Sequence, residues 1–535
     1  MTNWMDHLII APIVLPMLTG IAMILVGNRW RALTVLLGLG STLALVALSI
    51  VLLVLADGPA VRVYRLGDWP SSFGIVLVLD RLSALMLALT SVLGLAAFVF
   101  ALARWQNAGS HFHPLFQFQL LGLNGAFLTG DLFNLFVFFE VLLAASYGLV
   151  LHGSGTARVR AGLHYIVVNL VASLLFLIGV SAIYGIGGTL NMADLAVRMR
   201  SVAVEDRGLL EAGAALLAIA LLIKAAMWPL GFWLPPTYAA ASTPSAAILS
   251  LLSKVGIYAV LRVWLLLFGE GSGPSVGYGG IWLLAGGLMT IAFGSIAVLA
   301  TQNLPRLAGA SVLISSGTLL AAVGMGQVAV TGGALFYLAS SVLGIGGFFL
   351  LIELVERGRE VGADVLAVTR EAFGTGEEDE LGEPDEVGIA IPGTVAVLGL
   401  AFLVCALLLA GLPPLSGFLA KFAILSPLLA EGGAEVPTTT WVMMAALILS
   451  GLATVVAMTR VGIDVFWASP AVRTPRVGVV EILPVAMLLL LCAALTAGAG
   501  PALEYMQATA DALHAPLGYL DGVLAAPSPA AGAGE

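Results

Sequence analysis

The chain has 535 residues, 60% of them hydrophobic and only 10% charged, against about 25% charged residues in a soluble domain. A soluble enzyme is excluded and a polytopic membrane protein expected. The net charge of −9 argues against a nucleic-acid partner, and much of it is local, in the run Glu377-Glu-Asp-Glu-Leu-Gly-Glu-Pro-Asp-Glu386.

Apolar stretches of about 20 residues, the length a bilayer core requires, fall near 8–26, 32–56, 82–103, 115–130, 132–151, 162–186 and 211–231. They continue at 244–268, 279–300, 305–325, 330–354, 390–411, 438–459 and 479–499, with 415–429 prolonging the twelfth past Pro413-Pro414. The first has acidic flanking upstream and no small-residue cleavage site, so it reads as a spanning helix and not as a signal peptide. The expected fold is an all-α polytopic membrane protein of about 14 transmembrane helices, with both termini on one side. In the connections, twelve arginines between Arg29 and Arg476 fall on the odd-to-even side and five (Arg62, Arg65, Arg198, Arg200, Arg207) on the other. Cytoplasmic loops hold the basic excess, so both termini are placed outside. Cys405 and Cys492 have neither a CxxC spacing nor a histidine neighbour, which points away from a metal site or disulfide.

Two spans are broken by Pro and Gly. Pro229-Leu-Gly-Phe-Trp-Leu234 interrupts the seventh and resembles Pro414-Leu-Ser-Gly-Phe-Leu419 in the twelfth. A matched pair of interrupted helices is the sequence pointer to inverted repeats. Without the polar insert at 359–390 the two breaks lie roughly 150 residues apart, or five helix-plus-loop units. Spans 4–8 and 9–13 are therefore expected to be two five-helix repeats, inverted because five is odd, with spans 7 and 12 discontinuous. The implied divisions are 1–114, 115–268, 269–460 and 461–535.

Five basic residues remain after the loops: Arg81, Lys224, Lys254, Arg262 and Lys421. Every lysine of the chain thus lies in or at the edge of an apolar span, a division that points to a titratable amine wanted inside, which guanidinium cannot replace. Charges within a bilayer are costly, and they mark ion or proton pathways. Glu140, nine residues into the fifth span, reads as functional in preference to a structural ion pair. Asp131, after Gly130 at the start of that span, reads as a helix cap in preference to a proton carrier.

Lys224 precedes the Pro229 break, with Trp228 one turn away; proline frees a carbonyl that a water or ammonium could use. Lys254 has Ser250 and Tyr258 one turn to either side, a polar stripe that water could wet. Lys421 follows Pro413-Pro414. His164, followed by Asn169 and Ser173, is either an interface residue or part of a relay. His111 and His113 are expected at the surface, and Arg81 is expected to pair with its neighbour Asp80. No P-loop, GxSxG, HExxH or dinucleotide fingerprint stands where it would have meaning, so no enzyme, cofactor or metal is expected.

The stretch 130–152 with Glu140, Lys224-Ala-Ala-Met-Trp-Pro-Leu230, Pro244–Gly256 with Lys254, and Gly411–Lys421 resemble the antiporter-like membrane subunits. These belong to Mrp-type multisubunit monovalent cation/proton antiporters and to the proton-pumping arm of respiratory complex I. Arg160–Gly179 and Ile183–Leu195 look most like the D-type Mrp subunits. The resemblance implies that Glu140 and Lys224 form the charge pair of the first half, that Lys254 is its central proton carrier, and that Lys421 is the terminal lysine of the second. Ser340 stands where complex I relatives often carry a histidine, so the second half is expected to rely more on water.

The resemblance also implies a bacterial cell membrane, protons and Na⁺ or another monovalent cation as cargo, and other Mrp subunits as partners. The competing readings are a proton-pumping subunit of complex I or of a membrane-bound hydrogenase, and a non-conducting scaffold. The short segment after span 14 speaks against the largest complex I subunit, which carries a long lateral helix. The acidic run 377–386 cannot bury a core. Replacing its acidic residues by Ser and Gly should leave ion exchange within about twofold, roughly 0.4 kcal/mol. A loss above about tenfold in a normally assembled complex would place the run on the cation route.

Overall fold

The computed structural model describes residues 4–58, 60–71, 74–107, 109, 111–270, 272–357, 392–430, 436–466 and 477–524. The acidic insert expected at 359–390 lies outside the described residues. Helices α1 (Ala11–Val26) and α2 (Arg31–Ala56) precede a hairpin of β1 (Arg62–Arg65) and β2 (Val76–Leu79). Then come α3 (Arg81–Ala103), α4 (Phe112–Leu128), α5 (Leu132–Leu151), α6 (Thr156–Gly187), the short α7 (Met192–Arg198), α8 (Val204–Lys224) and α9 (Leu234–Ala240). The middle of the chain forms α10 (Thr243–Phe268), α11 (Gly280–Ala300), α12 (Leu304–Gly324) and α13 (Val328–Glu356). The remainder forms α14 (Gly393–Ala410), α15 (Ser416–Ala430), α16 (Thr438–Phe466), α17 (Val479–Ala497), α18 (Ala499–His514) and α19 (Leu517–Leu524).

Among the described residues, 11 helices are long and apolar enough to cross a membrane. The other expected spans are α1, with 16 residues, α4, with 17, and α8, whose first turn carries Glu205 and Asp206. Both expected breaks are present. The seventh span divides into α8 and α9 around Pro229, and the twelfth into α14 and α15 around Pro413-Pro414. Proline cannot donate to the helix ladder, and Gly411, at φ 74°, ends α14 in the left-handed conformation that a side chain disfavours.

The hairpin was not expected of an all-α chain. Val76-Leu-Val-Leu79 is a short apolar run, which periodicity cannot assign to strand or helix. It pairs antiparallel with β1, Arg62 facing Leu79, and its Val76 carbonyl accepts the Gly130 N–H at 2.9 Å. The hairpin therefore abuts the α4–α5 turn. There Asp131 caps α5, as expected, by accepting the Asn134 N–H at 2.9 Å.

Layering follows burial. In α10, α12 and α13, 94% of the most apolar stretch is buried, against 28% in α14 and α17; the first three form the inner layer and the latter face outward. Close approach between the inner and outer layers uses small residues, as membrane helices do where lipid offers no hydrophobic gain. A Cβ on Gly317 of α12 would lie 2.7 Å from the Gly287 carbonyl of α11. Proline supplies another contact: Pro16 leaves the Pro12 carbonyl of α1 without its helical donor, and Asn124 Nδ2 of α4 donates to it at 2.8 Å.

Two expectations are corrected. Asp80 pairs with Arg262 of α10, not with its neighbour, and Arg81 turns to Asp57 at 3.1 Å. Residues adjacent at a helix start point in different directions, so sequence proximity does not pair them. His113 is buried against Phe98 and Phe112 instead of lying at the surface, because it falls on the inward face of α4.

Gly317→Val should force α11 and α12 apart, at about 1–3 kcal/mol for overpacking. Gly40, which has open space where a Cβ would go, should tolerate the same change. Thermal melting of the purified proteins, followed by size-exclusion chromatography, compares the two directly.

A buried lysine row as the candidate functional site

Glu140 lies on α5 at the point where α6 crosses it, and Ser173 of α6 donates a short hydrogen bond to its carboxylate. Lys224 is the last residue of α8. Its ammonium sits over the Phe139 ring, 4.8 Å from the centroid, and within electrostatic reach of Glu140. The two charges do not form a contact ion pair; Ser173, not Lys224, occupies the carboxylate.

The break after α8 leaves carbonyls without helical donors. They are taken by backbone N–H groups of the turn, Met227 to Leu222 at 3.0 Å, and by the Trp233 indole, which donates to the Ile223 carbonyl at 3.2 Å. Trp228, chosen from the sequence, instead turns its ring outward, 37% exposed, while its backbone N–H donates to Thr290 at 2.8 Å. Between Lys224 and α10 lies a cavity of about 20 Å³ bordered by Tyr165, Asn169, Trp233, Leu252 and Val255, enough for one water.

Lys254 is fully buried in α10. Its Nζ donates to Ser315 Oγ of α12 at 2.7 Å, and Ser315 donates to Ser341 of α13 at 3.0 Å. Beyond these hydroxyls is a second cavity of about 20 Å³, lined by Ser311, Ser315, Tyr337, Ser340, Ser341 and Thr454 among others. Ser340 and Ser416 hydrogen-bond at 2.8 Å, which ties α13 to the start of α15. At the far end Lys421 of α15 donates to the Ala410 carbonyl at 2.8 Å, a carbonyl that the α14 break sets free. The use of a freed carbonyl by an ammonium, expected at the first break, is thus realised at the second.

The other predicted residues are distributed as follows. Ser250 donates to the Ala247 carbonyl at 2.7 Å, and Tyr258 to the Phe127 carbonyl at 2.6 Å. His164 is exposed on the outer face of α6. Sequence reasoning missed Tyr165, although a signal was present. Tyr165, Asn169 and Ser173 recur every four residues and are all buried, a single stripe on which His164 does not fall. Among the described residues no group of three His, Cys, Asp or Glu side chains could hold a metal ion. The arrangement offers ammonium groups, hydroxyls and room for single waters inside an apolar bundle, which is equipment for moving protons.

The transmembrane family described as NADH:quinone oxidoreductase/Mrp antiporter matches residues 129–453, which contain all four charged residues of the row. A protein of Rhizobium meliloti (strain 1021), named as the probable D-type subunit of a K(+)/H(+) antiporter, is 60% identical over 98% of this chain and 99% of its own. The D-type subunit of the Na(+)/H(+) antiporter of Alkalihalophilus pseudofirmus is 34% identical over 97% of this chain and 100% of its own. Among solved structures, a chain of the Mrp complex from Dietzia sp. DQ12-45-1b superposes with a TM-score of 0.83 at 26% identity, covering 98% of this chain and 100% of that one. A chain of respiratory complex I from Thermus thermophilus shares the fold, with a TM-score of 0.75 at 24% identity over 95% of this chain and 99% of that one.

Glu140→Ala and Lys224→Ala should each cut cation-dependent proton movement at least about tenfold, or roughly 1.4 kcal/mol, while the protein still inserts and assembles. Because Glu140 keeps Ser173 as partner, Lys224→Ala should cost less than the roughly 3–5 kcal/mol of a broken buried contact pair. Full transport by either variant at equal expression removes these two charges from the pathway.

Proposed function

This chain belongs to the NADH:quinone oxidoreductase/Mrp antiporter transmembrane family, and we propose that it is the proton-translocating subunit of a multisubunit monovalent cation/proton antiporter. It is a transporter component, not an enzyme. Its place is a bacterial cell membrane, with both termini outside, and its partners are the other subunits of the antiporter. The cation is K⁺ ahead of Na⁺, since the relative at 60% identity carries the K⁺ name and the relatives named for Na⁺ are 34% and 33% identical. Residues 115–268 and 269–460 act as the two inverted repeats, flanked by 1–114 and 461–535.

The observation that carries this reading is the bond of Lys254, whose ammonium donates to Ser315 at the head of a serine chain that lines one water-sized cavity, while Leu252 and Val255 of the same helix line another beside Lys224. A proton held near Lys224 reaches Lys254 through the first cavity. Lys254 hands it to the Ser315–Ser341 chain as the hydroxyls rotate, and the second cavity with Ser340 and Ser416 passes it towards Lys421. Glu140 sets the charge state of Lys224 through the field across their gap. The absence of a contact pair suits a relay, since a locked ion pair would have to be broken at each turnover.

Lys254→Arg should fail nearly as badly as Lys254→Ala, with exchange down by more than about tenfold. Guanidinium, with a pKa above about 12, keeps its proton. The measurement is K⁺- and Na⁺-driven proton movement in inverted vesicles carrying the assembled complex. Activity retained by the arginine variant means that positive charge alone suffices, and it overturns the carrier role.

A further inference from the structure

The lysine row leaves a second buried charge on α10 without a task. Arg262 follows Lys254 by eight residues, about 12 Å along the helix, and is as deeply enclosed, at 4% exposure. Its guanidinium grips Asp80 with both arms, at 2.5 and 2.7 Å. The same Nη2 that donates to Asp80 Oδ1 also donates to the Tyr258 hydroxyl, at 3.4 Å. The Tyr258 oxygen and the Asp80 carboxylate therefore share one donor. Lys254, Tyr258 and Arg262 recur every four residues, so they stand on one face of α10.

Next to the ion pair is a cavity of about 90 Å³, bordered by Asp80, Arg262, Leu266, Thr509, Gly518 and Tyr519. It has room for several waters. It lies at the hairpin end of the molecule, between α3, α10 and the C-terminal α18 and α19, the end assigned above to the outside.

We infer that Tyr258, Asp80 and this cavity form the outward branch of the proton route, through which Lys254 exchanges protons with the external solution. The inference rests on the reading of Lys254 as a proton carrier. In the outward step the Tyr258 O–H, which rests on the Phe127 carbonyl at 2.6 Å, rotates off it towards the Asp80 carboxylate. Its proton passes to Asp80 as the Lys254 ammonium gives a proton to the Tyr258 oxygen, directly or through one water. One N–H bond and one O–H bond break, two O–H bonds form, and a neutral amine and a neutral carboxylic acid result. Asp80 then loses the proton to water in the cavity, and Lys254 is refilled from the Lys224 side. Burial alone would raise the Asp80 carboxyl, but the Arg262 guanidinium and the Ser83 hydrogen bonds hold it below its usual value, so it releases a proton readily. Arg262 is a positioning residue, which returns Asp80 to the ionised, oriented form.

The test uses the assembled complex in oriented vesicles, with Lys254→Ala as the reference. Tyr258→Phe removes one hydroxyl and keeps the Asp80–Arg262 pair, so it is expected to assemble and to slow exchange at least about tenfold; Asp80→Asn should do the same. Gly518→Cys places a thiol at the mouth where a Cβ meets open space, while Cys405 and Cys492 are buried. A bulky charged methanethiosulfonate added from the outside should label Gly518→Cys and block its exchange, with recovery on reduction, an effect no purely structural role produces. If Asp80→Asn does not assemble, Tyr258→Phe and the thiol block decide. Exchange within about twofold of normal in Tyr258→Phe, or in the labelled cysteine variant, overturns the outward branch while an inactive Lys254→Ala leaves the carrier reading intact. Normal exchange in Lys254→Ala overturns both.

Discussion

A cation with no water around it has to find its partners inside the protein, and the bond from Lys254 to Ser315 is where this bundle meets that demand. The three most deeply buried helices, α10, α12 and α13, supply the ammonium, the first hydroxyl and the next hydroxyls in turn. Burying an ammonium costs several kcal/mol, and the serines offset it with groups that are neutral and can reverse their donor direction. A carboxylate in the same place would bind the ammonium more strongly and hold its proton there. Hydroxyls satisfy the charge without trapping it.

The same helix is clamped at both ends. At its C-terminal end Arg262 is held by Asp80, the cap of α3. At its N-terminal end Thr243 donates to Glu353 of α13, which also accepts from the Trp105 indole at 2.7 Å and from Arg357 at 2.5 Å. Arg357 continues to Glu481 of α17 at 2.6 Å. Every charge in these networks has an opposite partner, so removing one member strands the rest at roughly 3–5 kcal/mol. They fix the height of α10 against its neighbours, and with it the position of Lys254 against Ser315.

The two halves solve the problem of a broken helix differently. In the first, an indole and the turn's own N–H groups occupy the carbonyls left by Pro229, which leaves Lys224 facing Phe139 and the field of Glu140. In the second, the lysine takes the freed carbonyl itself. Lys421 is thus held by a neutral dipole where Lys224 is influenced by a charge. The inner hydroxyls of α12 and α13 lie between these two environments.

Membrane character, the apolar helices, both helix breaks and the presence of four charges within those helices were legible in the chain, because each follows from local properties: hydropathy over about 20 residues, the missing donor of proline, and the rarity of charge in apolar runs. The Asp131 cap was legible for the same reason. What tertiary structure alone decided is which residues meet. Ser315 is 61 residues from Lys254, and Asp80 is 182 from Arg262. The separation of Glu140 from Lys224 and the outward turn of Trp228 and His164 belong to this class too. A helix repeats every 3.6 residues, so sequence can say which side chains share a face. Which neighbour that face is pressed against depends on packing across the whole bundle, and no local pattern contains it.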